Sequence, residues 1–359
     1  MPCSTSFVYY RSTIAAILVL AVVACSDNNS PTTPVLSTSY TETKLVADDA
    51  SLGATTVDPN LVNAWGLAFS SGGTLWVSDN GTSLSTLYNG TGGKISLEVV
   101  IPRAGGSPGG KPTGQVFNST GDFLINGGSK ALFIFASEDG TISAWNQAAG
   151  PNAQIVADRS SNNAVYKGIA IGLNGGANFL YATNFKGNSI DVFDKNFTYV
   201  SSFTDTSIPS GYGPFGIHTI NGLLYVTYAK QKAPDNEDDE AGVGNGYVDI
   251  FNPDGTLEKR FVSNGRLNSP WAVVAAPSTF GSAGGDILIG NFGDGLIGAY
   301  DATTGAFLGY LHDSNKASIV IPGLWDLQFG VGSAPATSLY FSSGPDGEAH
   351  GLLGTLTAQ

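Results

Sequence analysis

The sequence offers few groups that could do chemistry. Its histidines are His218, His312 and His350, and its cysteines are Cys3 and Cys25. No HExxH and no complete P-loop motif occurs. What remains is a set of polar residues standing where matching segments carry small or apolar ones. His218 and Gln328 occupy the position held elsewhere by Ala68, Val116, Ala170 and Val274, and Asp326 occupies the position of Gly66. A carboxyl beside a crowded axis must be paired or bound to a cation, because burying it alone costs several kcal/mol. His218, Asp326 and Gln328 therefore form a candidate polar group inside a channel; each could equally be satisfied by backbone or water.

A second set lies at the ends of six short apolar runs, where the residues read Asp79, Ala136, Asn184, Tyr228, Asn291 and Ser343. Asp79, Asn184 and Asn291 bring oxygen ligands that suit a hard cation such as Ca²⁺, with Asp326 as a further ligand. The same residue types also make tight turns. A third set is aromatic: Trp65, Phe215, Trp271 and Trp325 share one column, with Lys167 among them. Such rings could stack on sugars, lipids or peptides, or pack as core. A three-histidine zinc site would need all the histidines, which fall at unmatched positions. The acidic run Asp235–Glu240 lacks the EF-hand glycine and reads as a solvated loop.

These positions are defined by a repeat. Asn63 to Asn89 holds three strand-like runs, broken at Gly72–Gly73 and Asn80–Gly81. First strands recur as Ala64–Ala68, Pro112–Val116, Tyr166–Ala170, Pro214–His218, Pro270–Val274 and Leu324–Gln328. The spacing is roughly fifty residues, as in propeller blades. The sixth unit runs out before a fourth strand, and Tyr40–Asp48 is a spare strand at the other end. Joining the two closes a ring and leaves no sheet edge open. The expectation is an all-β, six-bladed β-propeller of four-stranded antiparallel blades over residues 40–359.

Composition agrees. Gly is 48 of 359 residues and charged residues are 13%, which fits many short strands and tight turns. The net charge of −13 argues against nucleic acid, whose phosphates need a basic surface. Residues 1–24 read as a signal peptide, with Arg11 ahead of the apolar run Thr13–Val23. Val22-Val23-Ala24-Cys25 resembles a bacterial lipobox, which makes Cys25 the lipidation site and 25–39 a polar tether. That resemblance implies an extracytoplasmic lipoprotein, bound to the outer membrane through its lipid alone. The body then has no other thiol and is expected to be a monomer.

The blade pattern resembles NHL-repeat and gluconolactonase-type propellers. More closely, WGLAFSSGGTLWVSDNGT, FASEDGTISAWN, LNSPWAV and IGNFGDGLIGAYDATTG look like an uncharacterised bacterial family of secreted six-bladed propellers. Gluconolactonases place metal-binding carboxylates or amides just before the first-strand glycine. Those positions here are Trp65, Thr113, Lys167, Phe215, Trp271 and Trp325, with Asp326 one place further on. The leading expectation is a binding or protein-interaction module for an unknown protein, glycan or small molecule. The alternative is a cation-dependent, lactonase-like hydrolase working in the channel.

Overall fold

Short apolar runs punctuated by Gly and Asn fold into meanders. The computed structural model describes residues 34–359, and its first meander is Ala64–Phe69, Leu75–Asp79, Leu84–Tyr88 and Lys94–Val100. Gly73 turns between the first two strands at φ +95°, a backbone state strained for any residue with a Cβ. Five more such sheets follow along the chain, six in all. Their inner strands are Ala64–Phe69, Pro112–Phe117, Tyr166–Asn174, Tyr212–Ile220, Pro270–Ala275 and Leu324–Phe329. Each inner strand lies beside the next and the last lies beside the first, so they ring a central axis. This is a six-bladed β-propeller, as expected.

The ring closes through blade six. Leu324–Phe329, Ser338–Ser343 and Leu352–Ala358 come from the C-terminal end, and the outer strand is Tyr40–Ala47. Tyr40 pairs with Ala358 and Ala47 with Leu352, antiparallel. A short parallel strand, Thr56–Val57, continues that edge; the sequence reading did not include it. Residues 34–39, assigned from the sequence to the tether, lie against the body. Leu36 is buried in the core, and Thr38 exchanges hydrogen bonds with Ser282. The expected signal segment and Cys25 lie outside the described residues.

Inner strands share a local irregularity. Pairing to the second strand slips between Ala64 and Leu67, between Tyr166 and Ile169, between Pro214 and Ile217, and between Leu324 and Leu327. Such bulges bend a strand and re-aim its side chains. The residue in the slip is usually Gly because the neighbouring blade is very close. A Cβ on Gly66 would sit 2.6 Å from Thr113 O, and one on Gly216 only 1.9 Å from Trp271 O. Adjacent blades are also stitched by hydroxyls from their second strands. Thr183 Oγ1 donates to Phe215 O at 2.8 Å, and Ser342 Oγ donates to Trp65 O. Separate apolar clusters fill the wedges between blades, such as Ile142, Tyr166, Ile169 and Leu180 between blades two and three.

Candidate functional site

The aromatic column closes one end of the channel. Trp325 is sandwiched between Trp65, centroid 3.5 Å away, and Phe292 at 3.9 Å. Phe215 and Trp271 meet Trp325 edge-on at 5.9 and 6.3 Å. Trp65, Phe215, Trp271 and Trp325 are all buried. The column is therefore a plug of rings packed on one another, with no open face on which a sugar could stack. Trp325 Nε1 donates to Asn63 Oδ1 at 2.8 Å, which fixes the central ring.

Charges cap this plug. Lys167 Nζ lies 5.1 Å from the Trp65 ring centre and 2.5 Å from Glu138 Oε1, with Asp238 at 3.8 Å. Asn80 donates to the second Glu138 oxygen, and Asn63 donates to Glu348. Burial pushes the Glu138 carboxyl up, but the Lys167 ammonium, the Asn80 hydrogen bond and Lys111 together outweigh it and the net shift is down. Asp238 belongs to the acidic run read as solvated. The run is largely exposed, and surface ion pairs of Lys186 with Glu237 and Lys230 with Glu240 also hold it.

Beyond the plug the channel opens into a cavity of about 480 Å³. Its walls are later residues of the inner strands, among them Val116, Phe117, Ile171, Ile220, Val274 and Phe329. Three blades bring polar side chains to it: Gln115 from blade two, His218 from blade four, and Asp326 and Gln328 from blade six. Blades two, four and six alternate around the ring, so Gln115, His218 and Asp326 approach the axis from three sides. The sequence reading named His218, Asp326 and Gln328 as one inner group, and the structure brings them into one cavity. It missed Gln115, although a glutamine in a column otherwise made of Leu67, Ile169, Ile217, Val273 and Leu327 was a usable signal.

Asp326 stands in the glycine column, where blades touch most closely. Its Oδ2 accepts from Leu67 N of blade one at 2.8 Å, and its Oδ1 accepts from Leu327 N at 2.7 Å. His218 Nε2 lies 3.6 Å from Oδ1, too far for a hydrogen bond. Burial pushes the Asp326 carboxyl up to about 7, against the two amide donors. Burial likewise pulls the His218 imidazole down to about 4. At neutral pH the histidine is uncharged and the carboxyl is poised between its two forms. Gln115 Nε2 donates to Gly66 O and Trp76 O at 2.7 and 2.8 Å, leaving its Oε1 buried with no partner.

The rim set does not converge. Asp79 is fully buried within its blade and accepts from Thr86 N at 2.9 Å; burial raises its carboxyl well above the usual range. Asn184 accepts from Val165 N and Gly187 N, and Asn291 accepts from Asn268 N and donates to Arg266 O. Both side chains hold loops of their own blades. Tyr228 is buried, and burial followed by nearby Asp249 raises its hydroxyl well above its usual range. His312 bonds to Leu36 O and Asp313 O, and His350 to Asp48, far from one another in the chain's blades. Among the described residues no three His, Cys, Asp or Glu side chains are grouped so as to hold a metal ion.

A six-bladed propeller with one end of its channel plugged and the other open as a cavity is the class of protein these features define. No known family model matches the chain. Two uncharacterised proteins of Acanthamoeba polyphaga mimivirus are 32% identical over 315 residues and 34% identical over 322 residues. Each alignment covers 83% of this chain, and 76% and 81% of the respective relatives. The chain belongs to the family that these proteins form. Its relatives here are viral, where the sequence reading expected bacterial ones. Among solved structures, a streptogramin B lyase aligns with TM-score 0.53 at 15% identity, covering 90% of this chain and 98% of that one. A protein of unknown function from Bacteroides thetaiotaomicron aligns with TM-score 0.54 at 11% identity, covering 84% and 70%. At such identities the likeness is one of fold.

Proposed function

We propose that this protein is a binding propeller that takes a small molecule, or the end group of a larger one, into the channel cavity. The observation that carries the reading is the cavity itself. It is blind at the plugged end, about 480 Å³ in volume, apolar along its walls and polar where Gln115, His218 and Asp326 meet. That volume lies in the range of roughly 300–1,000 Å³ usual for ligand pockets, and apolar walls with a few placed polar groups are their usual make-up. Two of the polar groups, Gln115 Oε1 and His218 Nε2, have no partner within the protein. A buried group of that kind costs about 1–3 kcal/mol unless something supplies the missing bond. The cation-dependent hydrolase keeps only His218 and Asp326 as channel ligands, and the binding reading is preferred for that reason.

Ala170 lines the cavity, and a phenylalanine there would fill much of it. The test is a thermal-shift screen of a chemically diverse small-molecule panel against the parent protein and Ala170→Phe. Binding raises the melting point because ligand holds the folded form. Hits that stabilise the parent and not the variant support the reading. No hits, or hits indifferent to Ala170→Phe, would refute it. The placing of this site outside the cytoplasm, on a lipid at Cys25, is part of the same proposal and rests on the Val22–Cys25 sequence.

A further inference from the structure

The polar end of the cavity has a one-sided chemistry. Its lining residues include no Lys or Arg, and Asp326 and His218 are their only titratable side chains. Asp326 is 2% exposed, so a full charge there is poorly solvated. Each carboxylate oxygen accepts one amide hydrogen bond and keeps a free lone pair. His218 Nε2 and Gln115 Oε1 are unpartnered, and the histidine ring is held edge-on to Trp271 at 5.7 Å. With its proton on Nδ1, the neutral imidazole presents an acceptor. Trp271 Nε1 is the one unpartnered donor among the buried side-chain atoms of the lining residues. Among these buried atoms two acceptors, from blades two and four, stand against it; the donors of Gln328 and Ser119 belong to less buried side chains of the lining.

We propose that the cavity recognises a primary amine carried on an apolar body. The ammonium would lie among Asp326 Oδ1, His218 Nε2 and Gln115 Oε1, and the body along Val116, Ile171, Val274 and Phe329 toward the open mouth. This rests on the channel reading above and specifies its ligand. An ammonium has three donors and no acceptor, matching the acceptors on offer. It also supplies the buried carboxylate with the counter-charge that the chain does not provide. An alcohol of the same shape offers one donor and no charge. A carboxylate would meet Asp326 with like charge.

The proposal fixes the pH behaviour. The free carboxyl titrates near 7, and the amine binds its ionised form. Affinity for the amine therefore falls as pH drops below about 7, by up to about tenfold per pH unit, and levels off above it. His218, which charges only near 4, does not enter that window.

The test uses a matched trio of probes on the whole protein, 4-phenylbutylamine, 4-phenylbutan-1-ol and 4-phenylbutyrate, measured by calorimetry. The amine should bind at least tenfold tighter than the alcohol, and the carboxylate weakest of all. Asp326→Asn should cost the amine tenfold or more and leave the alcohol nearly unchanged. Should that variant fold poorly, the pH profile of the parent decides: a rise to a plateau near pH 7 for the amine, flat for the alcohol. Alcohol or carboxylate binding as well as the amine overturns this inference while leaving the channel reading standing. A pH-independent amine affinity overturns it too. If none of the three binds, this inference fails, and the diverse panel with Ala170→Phe decides separately whether the channel binds anything.

Discussion

At the scale of single residues, Asp326 and His218 carry opposite linkage. The folded state holds the Asp326 proton up to about pH 7, whereas the unfolded chain gives it up near 4. Between those values the folded form binds the extra proton, so this group makes stability fall as pH rises. His218 resists protonation down to about pH 4, whereas the unfolded chain takes the proton near 6.5. In that window the unfolded form binds the extra proton, so His218 makes stability rise with pH. In the parent the two trends oppose each other. Melting temperatures of Asp326→Asn, taken relative to the parent, should climb as pH goes from 4 to 7. Those of His218→Gln, relative to the parent, should decline from pH 4 to 6.5. Differences of the same slope for both variants would show that the pair is not buried as described. Of this site, the replacement of a glycine by Asp326 was legible in the sequence because a repeat makes its own exceptions visible. The bond from Asp326 to Leu67 was not, because it crosses the closure between blades six and one.

At the scale of elements, turn residues and strand columns were readable because each blade is built from local hairpins. Asp79, Asn184 and Asn291 were read as either cation ligands or turn formers. A column in sequence gives the position along a strand but not the direction of a side chain after a bulge. The structure turns Asn184 and Asn291 onto backbone donors of their own blades. The hydroxyls of Thr183 and Ser342 recur in that same run one residue earlier, and their role between blades needed the neighbouring strand to be in place. Close approach makes a prediction here. Gly216→Ala should destabilise by about 1–3 kcal/mol or more, since its Cβ would overlap Trp271 O and the backbone must shift. Gly121→Ala, with no atom within 4 Å of the added carbon, should stay within about 0.5 kcal/mol of the parent. Denaturant titrations compare the two, and equal midpoints would contradict the account of the glycine column.

At the scale of the whole molecule, ring closure joins the two ends of the described body. Tyr40–Ala47 pairs along nearly its full length with Leu352–Ala358. Deleting Tyr40–Asp48 leaves blade six without its outer strand and exposes an edge that can pair with another copy. The deletion should lower the melting temperature and produce aggregates in size-exclusion chromatography. A monomer with unchanged melting would rule the closure out as a source of stability. The lipid anchor is tested by fractionation: Cys25→Ala should move the protein from the membrane to the soluble fraction, and an unchanged distribution would discard the lipobox reading.

The central claim is that ligands enter the channel, and its most direct measurement is a crystallographic fragment screen on the purified protein. The account predicts that bound fragments gather in the cavity, with polar heads within hydrogen-bond distance of Asp326, His218 or Gln115 and apolar parts against Val116, Ile171 and Phe329. Fragments collecting on outer strands or over the Trp65–Trp325 plug, with the cavity holding only water, would contradict it.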